Sequence, residues 1–267
     1  MKHSIAPFAF LLLAVAWLGG CAQSGPSPQQ PSLLAAQQTV STETGERKRL
    51  FYIGLALYAE TWSENDVVEL ADELRQTSDF EVVPLIASNF SATPKRKYPI
   101  ADDKAIAKLV NTATEAAKPG DVVFVHISTH GARGVLARQV GDKEPTAITA
   151  RALAHQLAPL AGHPTVLVIS ACYSGSLIAD LRAPDRIIVT AARADRSSFG
   201  CAAGNQHTDF GDAELHGFAE RGRSLRQVFA AIRDDVARME QKDRLKPSEP
   251  QVWVGADVTD LYDAPAF

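Results

Sequence analysis

The chain has 267 residues, 46% hydrophobic, 7% aromatic and 22% charged, with 27 basic against 31 acidic side chains. That composition excludes whole-chain disorder, a collagen-like repeat and a disulfide-dense mini-scaffold, and the net charge of −4 leaves no electrostatic footprint for nucleic acid.

The N-terminus reads as a targeting segment. Met1, Lys2 and His3 make a short basic start, residues 5–18 are an apolar run, and the run closes on Leu18-Gly19-Gly20-Cys21. A run this short, with small residues at its end, fits a secretory signal rather than a spanning helix. With a cysteine directly after the small residues it resembles a bacterial lipobox. That resemblance implies a lipoprotein signal over 1–20, cleavage before Cys21 and lipidation of its thiol; acyl chains anchor because each buried methylene contributes ~0.8 kcal/mol. Ala22 follows where an Asp would signal inner-membrane retention, so the expected place is the cell envelope, anchored in the outer membrane. Residues 21–46 are rich in Gln, Ser, Pro and Thr without sustained periodicity and read as a flexible tether. The folded domain is expected over 47–263.

Within it, short apolar runs alternate with helical patterns. Residues 50–57 (LFYIGLAL) predict a strand, 64–77 a helix with Val67, Leu70, Ala71 and Leu74 on one face, and 80–86 (FEVVPLI) a strand that Pro84 assigns to an edge. A helix over 103–117 follows, then strand 122–128 (VVFVHIS), helix 149–160, strand 165–170 (TVLVIS) and strand 186–191 (RIIVTA). A long helix over 224–241 and a closing strand over 251–254 (QVWV) complete the series. Strands apolar throughout and separated by helices indicate a mostly parallel sheet covered on both faces, a three-layer α/β/α domain.

The chemistry lies in the third and fourth strands. His130 and Cys172 each stand two residues past a strand end, 42 residues apart, one strand–helix–strand crossover. In a parallel sheet both ends open on the same edge, where α/β ligand sites form. If the strands are neighbours, their backbones are ~4.8 Å apart and a thiol and an imidazole can face one site. Nucleophilic catalysis needs that pair: a thiolate to attack and a base that later protonates the leaving group. Spacing alone leaves open a packed cysteine and a histidine that merely bonds a loop. The small neighbours Ser128, Gly131, Ala171, Ser174 and Gly175 favour function, because close substrate approach needs bare backbone.

A strand ending in His-Gly and another ending in Ala-Cys resemble the caspase–legumain clan of cysteine peptidases. Further blocks resemble its legumain family, in particular bacterial lipoprotein members: Ser170-Ala-Cys-Tyr-Ser-Gly175, Thr190-Ala-Ala-Arg-Ala-Asp-Arg-Ser-Ser-Phe-Gly-Cys201, Asp209-Phe-Gly-Asp212 and Pro247-Ser-Glu-Pro-Gln-Val-Trp-Val-Gly255. The resemblance implies a caspase-like fold with a mixed six-stranded sheet and a cysteine endopeptidase acting on peptide or protein substrates. It implies Cys172 as nucleophile, His130 as general acid and base, an oxyanion hole from the backbone N–H groups of Gly131 and Cys172, and no metal or organic cofactor. It also implies that Ser197 and Asp212 line the pocket for the residue before the cut bond, which fits a side chain with an amide NH₂ or a cation.

The sequence departs from legumains proper in two places. Residues 58–64 (YAETWSE) carry no Arg-His pair, and Ser170 stands where an acidic residue is expected two before the nucleophile, so preference for Asn is not assured. Three other readings stay open. One is a transpeptidase of the same family. Another is a cysteine α/β-hydrolase, which would use His207 or His216 as its late histidine. The third is a silent lipid-anchored binding protein. His126, four residues before His130 on a strand, reads as a core residue rather than a metal ligand. Cys201 lies four residues beyond Ser197. A disulfide from it to Cys172 would require Cα atoms within ~7 Å; the alternative is a thiol packed under its loop.

Overall fold

The computed structural model describes residues 47–91, 93, 95–265 and 267. The expected signal, Cys21 and the tether lie outside the described residues. Strands β1 (Arg49–Ala56), β2 (Glu81–Ser88), β3 (Val122–Ser128), β7 (Thr165–Ser170), β8 (Arg186–Thr190) and β9 (Gln251–Val254) form a six-stranded sheet in the order β2-β1-β3-β7-β8-β9. All neighbours are parallel except β8 and β9. The expected mixed sheet is therefore present, and Pro84, which lacks an N–H to donate, does lie on the edge strand.

Both faces are buried, which is why the strands read as continuous apolar runs. Leu50, Tyr52, Phe124, Val166 and Val168 point to one face, covered by α1 (Thr61–Thr77), α5 (Asp209–Phe218) and α6 (Leu225–Lys242). Phe51, Ile53, Val123, Val125 and Leu167 point to the other, covered by α2 (Asp103–Ala116), α3 (Ala150–Gln156) and α4 (Ile178–Leu181). Helix α6 starts where the sequence places it, at Ser224, which forms a capping box with Gln227.

Three differences from the sequence reading have local causes. Helix α1 begins at Thr61 rather than 64, because its first turn is held by tertiary contacts: Trp62 is fully buried and Ser63 Oγ donates to the Ser128 carbonyl at 2.7 Å. A small antiparallel sheet of β4 (Gly131–Ala132), β5 (Val135–Arg138) and β6 (Thr146–Thr149) follows β3, in pieces too short to show alternation. Helix α5 carries Gly211 and Gly217, poor helix formers, yet each is required by packing. A Cβ at 211 would stand 2.1 Å from Asp66 Oδ1, and one at 217 would stand 2.8 Å from Ile232 Cγ1.

Candidate active site

β3 and β7 are neighbours, with Ser128 opposite Ser170. Thr129 N–H donates to the Ser170 carbonyl at 3.0 Å, carrying the pairing one residue further. His130 and Cys172 thus leave the sheet side by side at its C-terminal edge. After Cys172 the chain turns sharply: Tyr173 is left-handed (φ 56°), and its N–H donates to the Arg196 carbonyl at 2.7 Å. A non-glycine residue there is costly and persists only when its surroundings hold it. Gly131 packs directly on this turn, where a Cβ would meet the Cys172 carbonyl oxygen at 2.3 Å. The Cys172 N–H donates to no group among the described residues.

Cys172 is half-buried, and its Sγ donates to the Ser198 carbonyl at 3.4 Å while Ser198 Oγ approaches Sγ at 3.7 Å. Its pKa is pulled down to about 5, first by a hydrogen bond with the Cys201 thiol, then by Ser198 and by the charge of His130, against burial. The same contact pushes the Cys201 thiol up. Of the two sulfurs Cys172 is the one favoured as thiolate, because the Ser198 hydroxyl and the His130 imidazole both act on it. Both cysteines are free thiols. His130 is held below its ordinary value by burial, partly offset by Cys172 and Glu60. Its ring is boxed edge-on by Tyr58 (centroids 4.3 Å) and Trp62 (5.1 Å).

Two cavities flank the pair. One of about 280 Å³ is lined by His130, Gly131, Val135, Leu136 and Ala147 among others. The other, about 340 Å³, is lined by Tyr173, Asp195, Arg196, Ser197, Phe199 and Lys246. Ser197 therefore sits beside the turn that follows Cys172. Asp212 is not part of that lining; it lies in the first turn of α5, with Oδ1 3.3 Å from His207 Nδ1, and His207 Nε2 meets Glu69 at 3.2 Å.

The histidines of the hydrolase alternative are occupied elsewhere: His207 between Glu69 and Asp212, and His216, exposed, on Asp235 at 2.8 Å. The histidine whose charge acts on Cys172 is His130. His126 is fully buried, with Nδ1 2.8 Å from the Tyr52 hydroxyl and Nε2 3.1 Å from Glu214. The Tyr52 hydroxyl already donates to the Val67 carbonyl at 2.8 Å, so it accepts from Nδ1–H. Sequence reasoning did not reach Tyr58, Trp62 or Ser198 as site residues. For the two aromatics the available signal was their place after β1, whose end opens on the same edge as β3.

A model of the peptidase C13 family matches residues 100–260, a span that includes His130 and Cys172. Among solved structures, the crystal structure of caspase-1 from Spodoptera frugiperda is similar, with a TM-score of 0.52 and 17% identity over 78% of this chain and 86% of that one. At that identity the likeness shows the fold, and it agrees with the six-stranded, mostly parallel sheet flanked by helices. No curated protein matches the chain.

Proposed function

Because the chain belongs to the peptidase C13 family, we propose that it hydrolyses peptide bonds as a cysteine endopeptidase through the Cys172–His130 dyad. The observation that carries this reading is the placement of the two groups beyond register-paired strand ends, with the thiol already pulled down to about 5. The Cys172 thiolate attacks the scissile carbonyl. Charge developing on the carbonyl oxygen meets the backbone N–H groups of Cys172 and Gly131, preorganised donors of the kind that contribute ~3–4 kcal/mol to such barriers. His130 then protonates the leaving amine, leaving a thioester. Water, losing a proton to His130, cleaves the thioester and restores the thiolate.

This division of labour sets a pH window. Attack requires the thiolate and is lost below about 5. Departure of the amine requires imidazolium and is lost above the His130 value, itself below 6.5. The rate is therefore expected to peak in mild acid.

For the residue before the cut bond, Ser197 and Asp212 remain the proposed contacts. Asp212 is not a bare carboxylate, because it shares His207. That favours a small polar partner such as Asn or Asp over Arg or Lys. A ratio of cleavage after Asp to cleavage after Asn that rises as pH falls, with the Arg-to-Asn ratio not rising, supports this choice; equal cleavage after Leu or Phe refutes both contacts.

The domain is proposed to act at a membrane surface, tethered through lipidated Cys21. Labelled palmitate should enter the wild-type protein and not Cys21→Ser. The peptidase reading is tested with Cys172→Ala and His130→Ala, each of which should abolish peptide cleavage while leaving the fold intact. Retained activity in His130→Ala, with loss in His207→Ala or His216→Ala, would overturn it in favour of the hydrolase arrangement.

A further inference from the structure

Behind the dyad, at the same end of the sheet, lies a buried polar cluster that the mechanism above does not use. Its centre is Asp66 on α1, 1% exposed. Asp66 Oδ2 accepts from Ser128 Oγ at 2.7 Å and from Thr208 Oγ1 at 2.9 Å, and Oδ1 accepts from Thr208 N–H at 3.1 Å. Since the Thr208 hydroxyl gives its proton to Asp66, its lone pairs receive the other two partners: Gly211 N–H at 2.8 Å and Ser170 Oγ at 3.1 Å. The hydrogen bonds thus all run towards one carboxylate.

What they connect is specific. Ser128 lies two residues before His130, and Ser170, its register partner, two before Cys172. Thr208 is the N-cap of α5, the helix that carries Asp212. Gly211 is glycine because a Cβ would collide with Asp66, so α5 is shaped to seat on this carboxylate. We propose that Asp66 is a positioning residue for the catalytic pair: one buried carboxylate sets the relative placement of the His130 strand end, the Cys172 strand end and the N-terminus of α5. The proposal deepens the peptidase reading and rests on it.

Removing the carboxylate strands two hydroxyls and a backbone N–H inside the protein, and each can find a new partner only if a strand end or α5 shifts. Displacement of reacting groups by ~1 Å can cost about 100-fold in rate. The titratable groups facing Asp66 are Tyr52 on β1, His126 on β3 and Glu214 on α5. Burial raises Asp66 to about 6, opposed by the Ser128 and Thr208 hydrogen bonds and by His126.

The test uses the full-length protein in wild-type form, with Cys172→Ala as the inactive reference, and with Asp66→Asn, Thr208→Val, Thr208→Ser and Ser128→Ala. Steady-state kinetics on an Asn-containing fluorogenic peptide give kcat and KM. The pH dependence of Cys172 alkylation by iodoacetamide, read by peptide mass spectrometry, reports the site without any substrate. In Asp66→Asn and Thr208→Val, kcat should fall about 10- to 100-fold with KM within about two-fold, and the alkylation midpoint should rise above about 5. Thr208→Ser, which keeps the hydroxyl, should behave as wild type. If Asp66→Asn fails to fold, Thr208→Val and Ser128→Ala decide. Folded variants with wild-type kcat and an unmoved alkylation midpoint overturn the proposal. A wild-type protein that cleaves no peptide, while the midpoint still moves in Asp66→Asn, refutes the peptidase reading and leaves the positioning role standing.

Discussion

The thiol pair offers a quantitative check on the proposed dyad. Cys201 contributes the largest of the influences that bring Cys172 from its ordinary value of 9.0 to about 5. Cys201→Ala removes that donor and leaves Ser198 and His130 in place, so the Cys172 midpoint should rise by at least about one pH unit without returning to the value of a free thiol. At pH 5.5 a midpoint of 5 leaves about three-quarters of Cys172 as thiolate and a midpoint of 6 about one-quarter, a fall of about three-fold; at pH 8 the two proteins differ by about 1% or less. The assay is the rate of iodoacetamide labelling of Cys172 from pH 4 to about 9, resolved by peptide mapping, alongside peptide cleavage over the same range. The loss of rate should appear only on the acid side. Ser198→Ala should move the midpoint less than Cys201→Ala, and His130→Ala least, following the order of their influences. An unchanged midpoint in Cys201→Ala, or a larger shift in His130→Ala, would refute the reasoning and assign the thiolate to the imidazole instead.

Gly131→Ala forces a Cβ to within 2.3 Å of the Cys172 carbonyl; such overpacking should destabilise the fold by about 1–3 kcal/mol, seen in urea titration, and abolish cleavage. Glu214→Ala leaves buried His126 without its acidic partner, and loss of one member of a buried pair should cost about 3–5 kcal/mol by chemical denaturation, with little change in alkylation of Cys172 in the fraction that stays folded. Exposure to oxidised glutathione should transfer two electrons from the Cys172 and Cys201 thiols to the added disulfide, join the two sulfurs and stop cleavage until dithiothreitol is added. Cys201→Ser should not acquire that protein disulfide, and an identical reductant requirement in the variant would show ordinary oxidation of Cys172 alone.

Much of the layered architecture follows from the linear pattern, because strands buried on both faces must be apolar at every position and helices must show a stripe. VVFVHIS and TVLVIS could be read as buried parallel strands for that reason, and Pro84 as an edge residue because it has no N–H to donate. That the strand ends before His130 and Cys172 share one edge was legible because one crossover of βαβ length places two strand ends there. Local chemistry could not supply contacts between residues distant along the chain. The hairpin sheet β4–β6 consists of strands of two to four residues, too short to carry a period. The linear pattern predicts no helix over 209–218, where Gly211 and Gly217, poor helix formers, are required by what packs against them, Asp66 and Ile232. The donor role of Cys201, the aromatic box of Tyr58 and Trp62, and the Asp66 cluster all join segments separated by tens of residues. Residue types and periodicity specify which surfaces must be buried, whereas the partner each polar group finds there is decided only when the sheet order and the seating of α1 against α5 bring those segments within bonding distance.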